Sequence, residues 1–286
     1  MITIEAPAKL NLTLEILGKR PDGYHEIKSV VQTINLCDTL TITDDDNIVY
    51  SSNSEDWHAE KSLVSKAVTL LTRKTGYDGG AAIHIEKRIP LKAGLGGDSS
   101  DAAAVLMGLN QHWKLRFVKR ELAEMAAELG SDVPFFIYGG TRLMEGRGEK
   151  TTSLPAILHR WLVLVAPKVL IAQEKTKNAY ALIQPSHYSD GEITKNIITD
   201  IVSRQEFDYS RLFNTFENVS FTKENELTIH RDHILKCGAP HCHLAGSGPG
   251  LFTLFNERKE AEELFIRLSN QGIDTFLTET RVESLE

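Results

Sequence analysis

Hydrophobic and polar positions change period several times along the chain. Alternation of period two, or β-branched enrichment, predicts strands at residues 1–4, 30–36, 39–43 and 81–87. In the last of these Ile83 and Ile85 share one face, with His84 and Glu86 opposite. After the glycines at 94–97 the period lengthens. Ala102, Val105, Leu106 and Leu109 recur at helical spacing, with Ser99 or Ser100 placed to cap the run. A second helical stripe holds Leu122, Met125, Ala126 and Leu129 and stops at Gly130. Residues 161–166 are apolar throughout and read as a buried strand. Residues 186–210 are polar and yield one helix. Strand-like residues 251–255, a helix around 259–268 and a strand at 275–278 follow.

Strands and helices mix without a strict βαβ rhythm, which favours an α+β fold over a doubly wound sheet. At 286 residues the chain is long enough for about two domains. Gly146, Gly148 and Pro155 punctuate it just before the strand at 161, so the expected units are 1–155 and 156–286. The 39 acidic against 32 basic residues give a net charge of −7. That balance argues against a general nucleic-acid or anionic-membrane binder and leaves room for a local phosphate pocket. Three cysteines cannot form a disulfide framework and suggest a reducing compartment. Neither a signal-peptide core nor an apolar run near the ~20 residues of a membrane helix is found, so a cytoplasmic protein is expected.

The most informative stretch is Pro90-Leu-Lys92-Ala93-Gly94-Leu95-Gly96-Gly97-Asp98-Ser99-Ser100-Asp101. It follows a strand and opens a helix. Glycines let the backbone approach an anion, and helix-start N–H groups point at it with the positive dipole end behind them. The stretch matches neither the Walker loop nor the dinucleotide fingerprint, and a capped glycine turn is the plain alternative. Gly246-Ser247-Gly248-Pro249-Gly250 is a second glycine loop, weak alone. Lys9 and Asn11 project from one face of the first strand. Asp132, past Gly130 and ahead of Val133-Pro134-Phe135-Phe136, stands between solvent and core. Tyr24 and His25 follow the turn at 21–23; Tyr24 could stack on a base or simply pack. Cys237, His241, Cys242 and His243 crowd seven residues, but their spacing does not suit a zinc site.

Taken together, Pro7-Ala-Lys9-Leu-Asn11-Leu, Asp22-Gly-Tyr24-His25, Gly94-Leu-Gly-Gly-x-Ser-Ser-Asp-Ala102, Gly130-Ser-Asp132-Val-Pro-Phe135 and Leu244-Ala-Gly-Ser-Gly-Pro249 resemble the GHMP kinase superfamily. Within it they resemble the branch that phosphorylates a cytidylated polyol on the non-mevalonate route to isoprenoids. The resemblance implies an N-terminal half like domain 2 of ribosomal protein S5 and a ferredoxin-like C-terminal half. It implies ATP as co-substrate, Mg²⁺, and a small-molecule alcohol as partner. By the same resemblance Asp132 is the catalytic aspartate, taking the proton of a C2 hydroxyl, with Lys9 beside it. Asn11, Tyr24, His25, Thr176 and Tyr180 fall on substrate-binding positions, with Tyr180 on the far face of the base. Residues 90 and 92–100 fall on the ATP loop, and residues 246–248 on the second loop. No magnesium ligand is indicated, and oligomeric state is left open. The alternatives are another GHMP kinase, such as a homoserine or mevalonate kinase, and a catalytically silent relative.

Four positions depart from the usual pattern. Asp98 and Lys92 stand where glycine is common, Ser62 where asparagine is usual, and Ala245 where serine is frequent. A carboxylate ~4 Å from another anion costs ~4 kcal/mol at an effective dielectric of 20. The expectation is that Lys92 offsets Asp98 across the loop. If the two do not meet, Asp98 reads instead as a cap on the Ser99 helix.

Overall fold

The computed structural model describes residues 1–169, 175–205, 208–222 and 225–281. Its first half is organised by one long strand. After β1 (Ile2–Asn11) and β2 (Thr13–Lys19), β3 runs from His25 to Thr43 and pairs antiparallel with both. The two segments expected at 30–36 and 39–43 are therefore one element. The apolar pattern breaks near Cys37 and Asp38 because β3 is bulged just before them, with Asn35 and Leu36 left outside the pairing with β1. Pro7 pairs with Cys37 but Ala8 with Ile34, so the register shifts just before Lys9. A proline without an N–H suits such a break in a ladder.

The chain continues through β4 (Ile48–Ser52), α1 (Leu63–Thr75), β5 (Ala81–Glu86), α2 (Gly97–His112), α3 (Lys119–Leu129), α4 (Val133–Tyr138), β6 (Thr141–Gly146) and β7 (Lys150–Ser153). β5 and β6 also pair with β3, while β4 extends the sheet through β5 and β7 through β6. The helices α1 to α4 pack through Leu71, Val105, Leu109, Phe135 and Phe136 against Leu40, Ile42 and Ile83 of the sheet. α2 starts at Gly97 with Gly96 as its cap, two residues before the serines expected there. Gly96 has φ 75°, a conformation glycine adopts without steric cost.

The second half holds β8 (Trp161–Val165), α5 (Lys175–Ala181), α6 (Glu192–Val202), β9 (Phe213–Asn214), α7 (Glu217–Ser220), α8 (Glu226–Lys236), β10 (His243–Leu244), β11 (Leu251–Phe255), α9 (Arg258–Ser269) and β12 (Thr275–Glu279). β9 returns to the large sheet, parallel to β2. The other four strands form an antiparallel sheet in the order β10-β11-β8-β12, with Ala261, Leu264 and Leu268 of α9 in its core. The architecture is α+β with two sheets. A shared core of Leu10, Ile34 and Leu95 with Leu162, Phe252 and Leu254 joins the halves, and the glycine loops meet above it. Among the described residues no helix is long and apolar enough to cross a membrane.

Candidate active site

Past the register shift opposite the β3 bulge, β1 brings Lys9 and Asn11 to a point where three segments converge. Both are 6% exposed. Lys9 Nζ donates to Asn11 Oδ1 at 2.6 Å, and Asn11 Nδ2 donates to Ser29 Oγ at 2.8 Å. This chain of bonds fixes the ammonium's position. Asp132 Oδ2 lies 3.5 Å from Lys9 Nζ, with its side chain 39% exposed. Asp132 is the N-cap residue of α4, whose following residues Val133 to Ile137 are all buried. The core therefore anchors the segment while the carboxylate stays partly exposed beside Lys9. No sequence spacing connects residues 9 and 132; the sheet and α4 do.

The loop at 90–100 lies against the same lysine. Lys9 N–H donates to the Leu95 carbonyl at 2.9 Å. A Cβ at Gly96 would sit 2.7 Å from the Phe136 ring and 3.1 Å from Lys9 Cγ, so only glycine fits beside the lysine stem. The first i→i−4 bond of α2 is Ser100 N–H to the Gly96 carbonyl at 2.9 Å. The amides of Gly97, Asp98 and Ser99 precede it, at the positive end of the helix dipole. Pro90, Lys92, Ala93, Gly94, Leu95, Gly96, Gly97, Asp98 and Ser99 line a cavity of about 730 Å³ that also reaches Trp57, His58, Lys61 and Ser62. Ser100 faces inward at 1% exposure, and its hydroxyl has no hydrogen-bond partner among the described residues.

The second glycine loop interlocks with the first. A Cβ at Gly94 (φ 86°) would lie 2.0 Å from the Ala245 carbonyl oxygen. Gly250 N–H donates to the Ala93 carbonyl at 2.9 Å, and the space above Gly246 is bounded by the Gly94 carbonyl and Lys9 Nζ. Gly248 turns the same loop, and Ser247 Oγ stands 3.1 Å from Thr176 Oγ1 of α5. Ala245 is fully buried in the core, where a serine hydroxyl would need a partner.

The departures at Asp98 and Ser62 prove to be one feature. The Ser62 hydroxyl donates to Asp98 Oδ1, and the Leu63 amide donates to Asp98 Oδ2 at 3.0 Å. Ser62 Oγ also caps α1 by accepting from Val64 N–H at 3.1 Å. Asp98 is thus held at the N-terminus of α1, where the helix dipole favours a negative charge. The expected pairing with Lys92 is corrected: no ion pair joins them among the described residues, and Lys92 instead adopts φ 57°. Nor does Asp98 cap its own helix.

Beneath the loop, Lys87 Nζ bridges Asp38 Oδ2 and Asp101 Oδ2, the latter at 2.6 Å, with both carboxylates wholly buried. Asp38 Oδ1 also accepts from the amides of Arg88 at 2.5 Å and Ile89 at 2.8 Å. The triad ties β3, the strand leading into the loop and the first turn of α2 into one unit. Burial pushes Asp101 up to about 8, against the opposing pull of Lys87.

A third group of side chains lies beyond Asp132. His25 and Tyr180 stack directly, centroids 5.1 Å apart and planes 16° apart, with Phe216 edge-on to Tyr180 at 4.9 Å. Tyr180 was expected on the far face of a base; here it meets His25 without a gap for another ring. Burial lowers the His25 pKa, favouring a neutral ring, and raises that of Tyr180. Tyr24 is half exposed, and the Arg147 guanidinium lies 5.0 Å from its ring. Arg147 carries no motif of its own in the sequence, standing between Gly146 and Gly148, which mark a boundary. Trp57 and His58 carried no pattern of their own.

Comparison with known proteins identifies the family. Residues 62–140 match the family model described as the GHMP kinases N terminal domain. A 4-diphosphocytidyl-2-C-methyl-D-erythritol kinase of Dehalococcoides mccartyi is 46% identical over 280 residues, covering 98% of both chains. The chain belongs to that kinase family. A kinase of the same name from Brevibacillus brevis is 36% identical over 96% of this chain and 95% of its own. A crystal structure of 4-(cytidine 5'-diphospho)-2C-methyl-D-erythritol kinase superposes with a TM-score of 0.82 at 27% identity, covering 98% of this chain and 99% of the other. A mevalonate kinase structure at 18% identity and TM-score 0.70 shares the fold. Membership of this kinase family implies ATP as co-substrate.

Proposed function

We propose that this kinase transfers the terminal phosphate of ATP to the C2 hydroxyl of 4-diphosphocytidyl-2-C-methyl-D-erythritol, with Asp132 as the general base. The observation that carries the reading is the Lys9–Asp132 contact of 3.5 Å beside the start of α2. A base and a cation stand together where a phosphate-binding helix end opens. Phosphoryl transfer demands positioning and charge neutralisation more than covalent chemistry. The amides of Gly97, Asp98 and Ser99 and the interlocked Gly246–Gly248 loop hold the triphosphate, with the adenine toward Trp57 and His58. Asp132 accepts the hydroxyl proton as the oxygen attacks the terminal phosphorus, and ADP leaves. Lys9, fixed by Asn11, faces the charge that develops on the transferred group. Parking Asp98 on Ser62 and Leu63 keeps its carboxylate off the phosphates.

Mg²⁺ takes few protein oxygens and completes its shell from phosphates and water. Ser99 lines the cavity and its hydroxyl type suits that demand, so Ser99 would hold the ion. When bound, Mg²⁺ neutralises phosphate charge. His25 and Tyr180 form a stacked platform for the cytosine, with Tyr24 and Arg147 at its edge and Thr176 nearer the transfer point. Three unpaired cysteines support a cytoplasmic location. The two units read from the sequence, meeting near residue 155, are proposed as the structural halves.

The test is ADP release with three acceptors: the cytidylated polyol, mevalonate and homoserine. Turnover on the first alone is expected. Comparable turnover on either of the others, or none on the first, overturns the assignment. Tyr24→Ala should raise KM for the cytidylated substrate several-fold and leave KM for ATP unchanged, since stacking on one aromatic is worth ~1–3 kcal/mol.

A further inference from the structure

Lys175, the first residue of α5, has no part in the scheme above. Its Nζ donates to the Lys92 carbonyl at 3.1 Å, across 83 positions of sequence. An ammonium from the second half of the chain therefore rests on the phosphate loop itself. Its neighbour Thr176 touches Ser247 of the other glycine loop, so this end of α5 spans both loops. Lys9 is close enough for its charge to act on Lys175.

The charge balance is unusual for a protein with a net charge of −7. Lys9, Lys92 and Lys175 gather at one loop, Asp132 is the carboxylate in contact with Lys9, and Asp98 is bonded to Ser62 and Leu63. Burial and the neighbouring Lys9 lower Lys175 to about 8. A half-buried ammonium beside a like charge, bonded among the described residues to one neutral carbonyl, is poorly compensated there. A phosphate oxygen would be a far stronger acceptor.

We propose that Lys175 is a phosphate-binding residue of the transfer reaction, leaving the Lys92 carbonyl for the terminal phosphates of the bound nucleotide. It gives the migrating phosphoryl group a second cation besides Lys9, delivered from the other half of the fold. The inference rests on the reading of the loop as an ATP site.

The experiment compares wild type, Lys175→Ala, Lys175→Gln and Lys175→Arg. Each is titrated calorimetrically with a non-hydrolysable ATP analogue and with AMP, and assayed with the cytidylated polyol. Lys175→Ala and Lys175→Gln are expected to bind the analogue at least tenfold more weakly. AMP affinity and KM for the polyol should stay within twofold, and Lys175→Arg should recover most of the loss. Wild type should take up protons on binding the analogue near pH 8, seen as a buffer-dependent heat, and Lys175→Arg should not. Glutamine can still donate to the Lys92 carbonyl, so wild-type affinity in Lys175→Gln would mean a neutral latch and overturn the proposal. Equal losses for the analogue and AMP would do the same. If wild type binds the analogue but does not phosphorylate the polyol, the proposed function fails while these titrations still decide Lys175. No nucleotide binding by wild type overturns both.

Discussion

Replacing Lys87 by methionine removes one ammonium and almost no volume, and the structure indicates what that costs. The Lys87 side chain is 4% exposed and lies between two carboxylates with no exposure at all. Removing one partner of a buried ion pair costs about 3–5 kcal/mol, because the charge left behind has neither water nor a counter-ion. Here two carboxylates are left. Asp38 keeps the amides of Arg88 and Ile89. Asp101 loses its one hydrogen bond among the described residues, since its Oδ1 has no partner. Its pKa, already pushed up by burial to about 8, rises further, so it takes a proton rather than remain charged. That relief sets the expectation at the low end, about 3 kcal/mol, or roughly 6–12 °C in Tm for a chain of this size. Asp101→Asn keeps an acceptor for Lys87 and resembles the neutral acid that burial favours below pH 8, so near pH 7 it should change stability by less than about 1 kcal/mol.

The pH dependence carries an independent sign. Between the unfolded value near 4 and the folded value near 8, the folded state binds more protons at Asp101 than the unfolded chain. This group therefore lowers stability as pH rises through that window, and Asp101→Asn should flatten the slope. Urea unfolding of the three proteins at pH 6, 7 and 8 supplies both readouts. Lys87→Met losing less than about 1 kcal/mol, or Asp101→Asn falling as far as Lys87→Met, would refute the reasoning.

Four further outcomes are expected. Asp132→Asn should fold normally and lose about 10²-fold or more in kcat, Lys9→Ala should lose a similar factor, and the double variant should be far from additive; near wild-type turnover of Asp132→Asn removes it from the mechanism. Ser62→Ala removes the cap of α1 and a partner of Asp98, so denaturation should show a loss of about 1–2 kcal/mol. Its coupling to Asp98→Gly should be of order 1 kcal/mol, with none to Lys92→Gly. Gly94→Ala drives a methyl to 2.0 Å from the Ala245 carbonyl and should abolish nucleotide binding measured by calorimetry. Burial and His243 lower His241 to about 4, so the unfolded chain binds the extra proton between pH 6.5 and 4. Stability should fall by roughly 2–3 kcal/mol across that window, and His241→Gln should abolish this component in pH-dependent unfolding.

Local patterns were legible wherever one short segment carried its own physics. The strand–glycine–helix turn at 81–112 is set by alternation, glycine and helical spacing, which neighbours reinforce rather than override. The apolar runs at 161–165 and 251–255 could only be buried strands, and they pair with each other. Lys9, Asp132 and the two glycine loops stood out as motifs, and the resemblance gave them a common purpose. The distances between them were not in the sequence. Lys9 and Asp132 meet because β1 and the buried helix α4 pack into the same half of the fold. Gly94 is required because Ala245, some 150 positions later, comes to rest against it. Reading Asp98 against Lys92 chose the sequence neighbour over the true partner. Charge and period identify what a residue can do, but partner choice depends on which backbones the folded core brings within reach. Ser62 lies 36 positions from Asp98, beyond any local period, yet α1 and α2 pack side by side. The tertiary structure alone also decided that Lys175 lies on the phosphate loop, since a contact across 83 positions leaves no trace in local pattern.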